Sequence, residues 1–349
     1  MDTQVFVKSG LHFDGAALKA FRRYCEANEL THISTTVVER EVESKIQDSV
    51  KAALSAITTF RKKARLLASL DDAKIKGLFE EVSEDDLYKK SKGILREFFD
   101  ACSTEVVDSD DVNVEELLSL YFDTKPPFGI GKKKYEFPDA ISMLSLKSHL
   151  DCDEKIYVVS DDKDLKSFCT TDPQLINVDS LDILLDIYTA YDENRHDQVK
   201  QYFVTNEADL KHQITDFLEM CEVWNSSGWE DAEVEGGLTV TRLGDIEPTV
   251  VFLDDEESQV TFEIDVEFEV TVTGPDFNNA AYDREEGRVY TFSSSSRRST
   301  ISTTYTVEVF LRYEFIDGVL DNPTDEELYI ASASRGIEVS VEENEDNMY

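Results

Sequence analysis

Apolar residues recur at spacings of three and four in the earlier part of the chain. Leu18, Phe21, Tyr24 and Cys25 form one such stripe, and Val50, Leu54, Ile57 and Phe60 another. This is the period of an amphipathic helix. Short β-branched runs interrupt the helices at Val5–Val7, Ile33–Val38 and Ile156–Val159, and each leads into a helical stretch. Strand followed by helix, repeated, predicts an α/β unit with a parallel sheet and covering helices. After Gly228 the period changes to two. Val260, Phe262, Ile264, Val266, Phe268, Val270 and Val272 alternate with Thr261, Glu263, Asp265, Glu267, Glu269 and Thr271. Tyr305, Val307, Val309 and Leu311 repeat the alternation. One apolar and one acidic face predict an all-β antiparallel domain, sandwich-like, with one face in water. Between these regions, Asp192–Glu222 reads as connecting helices with the stripe Val199, Phe203, Leu210, Ile214 and Phe217. Ser293–Ser296, followed by Arg297 and Arg298, reads as a hairpin loop, and the tail Glu342–Tyr349 as a frayed end. The expected division is a domain at 1–190, a helical linker at 191–228 and an acidic β-rich domain at 229–349.

Charge sharpens that division. The 349 residues carry a net charge of −39. Residues 1–228 hold 28 Lys and Arg against 44 Asp and Glu, whereas residues 229–349 hold 7 against 30. The second stretch contains no lysine; the last in the chain is Lys211. So negative a body repels nucleic acid at long range, so a nucleic-acid ligand needs local cations or metal ions. With 41% hydrophobic residues the chain can build packed cores. It has no apolar run near the ~20 residues that cross a bilayer and no basic-then-apolar leader. Its five cysteines are scattered without a C-x-x-C pair. A soluble, cytoplasmic protein without membrane contact is the expectation.

Candidate chemistry lies in acids placed where strands hand over to helices. Asp2 precedes Thr3 at the edge of the first apolar run, and Glu39 and Glu41 follow Ile33–Val38. Asp139 follows Pro138 at a helix start, and Asp161, Asp162 and Asp164 follow Val158-Val159-Ser160. In open α/β sheets ligand sites form outside the carboxyl ends of the strands. Carboxylates converging there repel one another unless a cation joins them, and all-oxygen ligation suits Mg²⁺ or Mn²⁺. Such an ion suits phosphodiester hydrolysis. An acid at a helix start is also an ordinary cap, a competing reading for Asp139 and Asp164.

The ordered set Asp-Thr-x-Val-Phe, Val-x-Arg-Glu-Val, Glu-Phe-Pro-Asp-Ala and Val-Ser-x-Asp-Lys-Asp-Leu, over about residues 1–190, resembles the PIN-domain nuclease family. The stretch Pro126–Ala140 is similar to a bacterial PIN-like subfamily with a long helical insertion. The resemblance implies Asp2, Glu41, Asp139 and Asp162 as catalytic acids binding Mg²⁺ or Mn²⁺. Asp164 is a further candidate ligand, and Glu39 competes with Glu41. Thr3 and Ser160 would support the site. The implied activity is a metal-dependent ribonuclease, of the kind found in a bacterial toxin or defence effector. Two alternatives stand beside it: a non-catalytic PIN-fold interaction module, and a DNA nuclease. The sequence marks no aromatic stacking platform that decides between RNA and DNA. Only Met1 precedes Asp2, so either further apolar residues precede it or the first strand is built from Val5 to Val7.

Lys125, Lys132, Lys133 and Lys134 stand upstream of Asp139 and could hold phosphates, or simply form a solvated loop. Gly129-Ile130-Gly131-Lys132 lacks the spacing of a P-loop, and the five histidines lack H-x-x-x-H and H-E-x-x-H spacing. The lysine-free β-rich region is expected to contact a protein partner rather than nucleic acid, and oligomerisation is left open.

Overall fold

The computed structural model describes residues 1–69, 73–284, 288–316 and 318–343. The chain forms two compact units, Met1–Leu185 and Asp186–Tyr349. The expected frayed tail lies outside the described residues from 344 onward.

The first unit runs α1 (Thr3–Lys8), α2 (Ala16–Glu26), β1 (Ile33–Thr35), α3 (Thr36–Lys63), α4 (Ala73–Gly77), α5 (Glu84–Ala101) and β2 (Glu105–Val107). It continues through α6 (Val114–Phe122), α7 (Phe137–His149), β3 (Ile156–Val159), α8 (Lys163–Cys169), β4 (Leu175–Val178) and the start of α9 (Leu181–Thr189). β1 pairs with β2 and β3 with β4, both in parallel. The strand-then-helix rhythm is therefore present in two short parallel pairs rather than one long sheet.

Val5–Val7 is not a strand. Those residues lie inside α1, and the extended backbone stops at Asp2, whose N–H donates to the Val159 carbonyl at 3.0 Å. A helical turn places Thr3 and Phe6 on one side, and both are buried. Phe6 is fully enclosed among Phe13, Phe98 and Phe99, with ring centroids 5.9, 6.0 and 6.4 Å away. Enclosing such a ring contributes roughly 1.5–3 kcal/mol. That exceeds the few tenths by which β-branched residues disfavour a helix. α3 starts earlier than the sequence suggests: only Ile33–Thr35 of the Ile33–Val38 run is strand, and Thr36 already opens the helix, with the Thr35 hydroxyl accepting from Val38 N–H. Only its first half is core: Val38, Val42 and Ile46 are buried, while Ile57 and Phe60 from the sequence stripe are exposed.

The second unit holds the remainder of α9, then α10 (Glu193–Thr205), α11 (Glu207–Glu219), β5 (Val223–Asn225), β6 (Glu233–Leu243), β7 (Thr249–Leu253) and β8 (Glu257–Pro275). β9 (Ala281–Asp283), β10 (Arg288–Tyr290), β11 (Ser294–Ile316), β12 (Val319–Tyr329) and β13 (Ile337–Val339) follow. The main sheet has the order β12-β11-β8-β6, with β7 also on β8, and every pairing in it is antiparallel. The alternation read in the sequence is its pleat. Val260 through Val272 point into a core shared with Tyr305, Val307, Val309 and Leu311, while Glu263 and Asp265 face water. The helical stripe Val199, Phe203, Leu210 and Ile214 lies in the same core, so α10 and α11 cover the apolar face of the sheet. Ser294–Ser296 do not form a loop. They open β11, opposite Pro275–Thr273, because the strict two-residue period continues through them. Trp229 is buried in this unit and donates its indole N–H to the Pro275 carbonyl at 2.9 Å. Asp186 joins three elements: its carboxylate accepts from Val250 N–H at 2.9 Å and from Lys200 at 2.8 Å, and it meets His196 Nε2 at 3.0 Å.

Candidate active site

One pocket of the first unit is lined by Asp2, Glu41 and Asp139, with the hydroxyls of Ser34, Thr35 and Ser142 and an apolar wall that includes Val38 and Met143. Each acid arrives from a different element. Asp2 sits at the N-cap of α1, where its N–H bond to β3 fixes the backbone. Glu41 lies in the second turn of α3, one step before buried Val42. Asp139 occupies the first turn of α7, started by Pro138. Between the two readings on α3, Glu41 lines the pocket and Glu39 does not.

Short polar contacts orient these groups. Ser160 is buried, and its hydroxyl donates to Asp2 Oδ2 at 2.8 Å while accepting from Asp162 N–H at 3.1 Å. Its own N–H donates to the Val178 carbonyl of β4 at 2.9 Å. The two parallel strands thus hold Ser160, which in turn holds Asp2. Thr3, also buried, donates its hydroxyl to Glu41 Oε2 at 2.7 Å. Thr35 and Ser142 meet at 2.9 Å and join the start of α3 to α7 across the pocket.

Electrostatics single out Asp139. Burial first, then a hydrogen bond and repulsion from Glu136, then the charges of Glu41 and Asp2, push its carboxyl up to about 8. Glu136 has no role in the sequence reading, although it opens the Glu-Phe-Pro-Asp motif. The signal available was its place three residues before Asp139, next to the helix start.

The remaining predicted residues are placed differently. Asp162 is exposed and caps α8: its Oδ1 accepts from Asp164 N–H at 2.6 Å and from Leu165 N–H at 3.2 Å. It does not line the pocket. Asp164 lies in the first turn of α8 and is half-buried. The neighbouring Asp161 pairs with Lys8. Lys125 is exposed and pairs with Asp123 at 2.8 Å. Lys134 is exposed, its ammonium 5.4 Å from the centroid of the Tyr121 ring. The side chains of Lys132 and Lys133 lie outside the described residues.

The donor set is hard oxygen throughout, and the Asp139 carboxyl is raised by burial first and then by the neighbouring acids Glu136, Glu41 and Asp2. That chemistry fits a hard divalent cation. The side chains are not drawn to a common point: among the described residues no group of three or more His, Cys, Asp or Glu is arranged to hold a metal ion. Nor, among them, is any helix long and apolar enough to cross a membrane.

A parallel-stranded α/β unit that gathers acids at its strand ends and helix starts has the form of a nuclease-type domain. Residues 1–165 match the family model described as a PIN domain, so this part of the chain is similar to that family. No curated protein and no solved structure gives a match to the chain.

Proposed function

We propose that the first unit is a divalent-cation-dependent nuclease that hydrolyses phosphodiester bonds, with RNA the favoured substrate. The observation that carries this reading is the convergence of Asp2, Glu41 and Asp139, from three elements, on one pocket. These three would hold Mg²⁺ or Mn²⁺. Such an ion, when bound, supplies Lewis-acid stabilisation of phosphate charge and lowers the pKa of water. Ser160 would hold Asp2, and Thr3 would hold Glu41, in the orientation that capture requires. Asp162 caps α8 through Oδ1, so any contribution from it to the cation falls to Oδ2. Asp164 remains a further candidate ligand. Lys125 and Lys134, with their sequence neighbours Lys132 and Lys133, would meet the substrate's phosphates.

A non-catalytic PIN-fold interaction module is the second reading. It is favoured by the lack, among the described residues, of a gathered three-ligand group. Under either reading the acidic outer strand residues Glu263 and Asp265 suit a basic protein partner for the second unit. The deciding experiment incubates the intact chain with single-stranded RNA or DNA and Mn²⁺, beside Asp139→Asn. Cleavage by the parent that the variant loses supports the nuclease. No cleavage by the parent with any divalent ion leaves the module.

A further inference from the structure

We propose that the outward face of α6, with the adjoining turn at 131–135, is a platform on which unpaired nucleobases of a single strand stack beside the Asp139 pocket. This rests on the nuclease reading and adds to it the substrate's form. α6 turns Leu117 and Leu120 toward the core around Met143 and Leu146. Its other face carries Val114, Leu118 and Phe122 at a four-residue spacing, and all three are exposed, Phe122 at 75%. Three apolar side chains exposed along one face of this nine-residue helix form the kind of contiguous patch that marks a binding site.

Contacts connect that ring to the pocket. Phe122 meets Tyr121 edge-on with centroids 5.2 Å apart, and Tyr121 packs on Phe137 at 5.0 Å. Phe137 opens α7 two residues before Asp139. The Lys134 ammonium lies over the same Tyr121 ring, and exposed Tyr135 follows it in sequence.

Charge favours nucleic acid as the occupant. Residues 121–135 contain four lysines and one acid, Asp123, in a chain whose net charge is −39. Lys125 pairs with that exposed Asp123, a surface pair weak enough for a phosphate to displace. Exposed rings flanked by ammonium groups are what single-strand binders use: cations follow the backbone and rings take the bases without reading sequence. Duplex bases are already stacked and offer the platform little.

The test measures anisotropy of a labelled oligouridine of about 15 nucleotides on the intact chain in EDTA, so that nothing is cleaved. Phe122→Ala should weaken binding about tenfold, and Phe122→Trp should restore it, since stacking on one base is worth about that factor. Lys134→Ala should weaken binding and flatten its salt dependence. Phe122→Ala should leave duplex affinity unchanged. Binding by Phe122→Ala within about twofold of the parent, with native circular dichroism, overturns the proposal, as does absence of oligouridine binding by the parent. Hydrolysis of bis-p-nitrophenyl phosphate with Mn²⁺ separates the two readings, because that ester is too small to reach the platform. Phe122→Ala should retain this activity. Its absence in the parent as well would count against the nuclease and leave the binding result intact.

Discussion

Asp139 concentrates the chemistry at the scale of single residues. Its carboxyl is raised from 3.8 to about 8, so the folded state binds this proton more tightly than the unfolded chain does. Folding therefore gains from protonation and loses that gain as pH climbs from about 4 to about 8. Without divalent ions, the melting temperature should fall across that window, and Asp139→Asn should flatten the fall. The same proton competes with a cation, so Mn²⁺ affinity measured by calorimetry should rise with pH up to about 8 and lose this dependence in Asp139→Asn. Ser160→Ala removes the bond that orients Asp2, and an orienting partner of this kind is worth about 10- to 100-fold, read as cleavage rate or Mn²⁺ affinity. At this scale the sequence was informative where motif order carried the meaning. Asp2, Glu41 and Asp139 share a pocket although 137 positions separate the first from the last. Glu136 escaped notice because its effect is a hydrogen bond and a repulsion on Asp139 inside the fold, and that contact is a tertiary property.

Elements explain where short-range reading stops. Val5-Phe6-Val7 has strand composition, yet three residues are too few for period to separate strand from helix. The aromatic enclosure of Phe6 decides the matter, and Phe6→Ala should cost about 3–5 kcal/mol in chemical denaturation. Asp162 shows one residue type serving two ends. A helix cap and a metal ligand both call for a carboxylate after a strand, and only the bonds to Asp164 and Leu165 reveal the capping role. Asparagine caps about as well as aspartate, whereas alanine loses about 1 kcal/mol. Asp162→Asn should thus keep the melting temperature that Asp162→Ala lowers. It should also lose less cleavage than Asp139→Asn; a larger loss would restore Asp162 to the centre of the site.

For the whole molecule, alternation proved the most legible signal. From Phe262 to Val272 in β8 and from Tyr305 to Tyr313 in β11 the burial pattern follows the sequence residue by residue, because one sheet face is closed by a core and the other is open. The layer closing that face was harder to read. A stripe such as Val199, Phe203, Leu210 and Ile214 declares a helix with one apolar side and leaves its partner unnamed. Net charge also acts at this scale. A body at −39 with few cations facing the substrate releases few counterions on binding. If Lys125, Lys132, Lys133 and Lys134 supply the phosphate contacts, log affinity for single-stranded RNA should fall against log salt with a slope of only about −3.

The pairing of β5 with β13 bears on the order in which the second unit assembles. Val223 aligns with Ile337, and the two are 114 positions apart, whereas Pro275 aligns with Ser294 across a short connection. Closing the larger loop costs more chain entropy, and the ladder that closes it is three residue pairs long against nineteen between β8 and β11. The long ribbon is expected to zip early and the short parallel clasp to shut last. Under mild denaturant, the amides of Ile337 and Ser226, which donate to the Glu222 and Val339 carbonyls at 2.8 Å, should exchange with deuterium before those at the centre of β8.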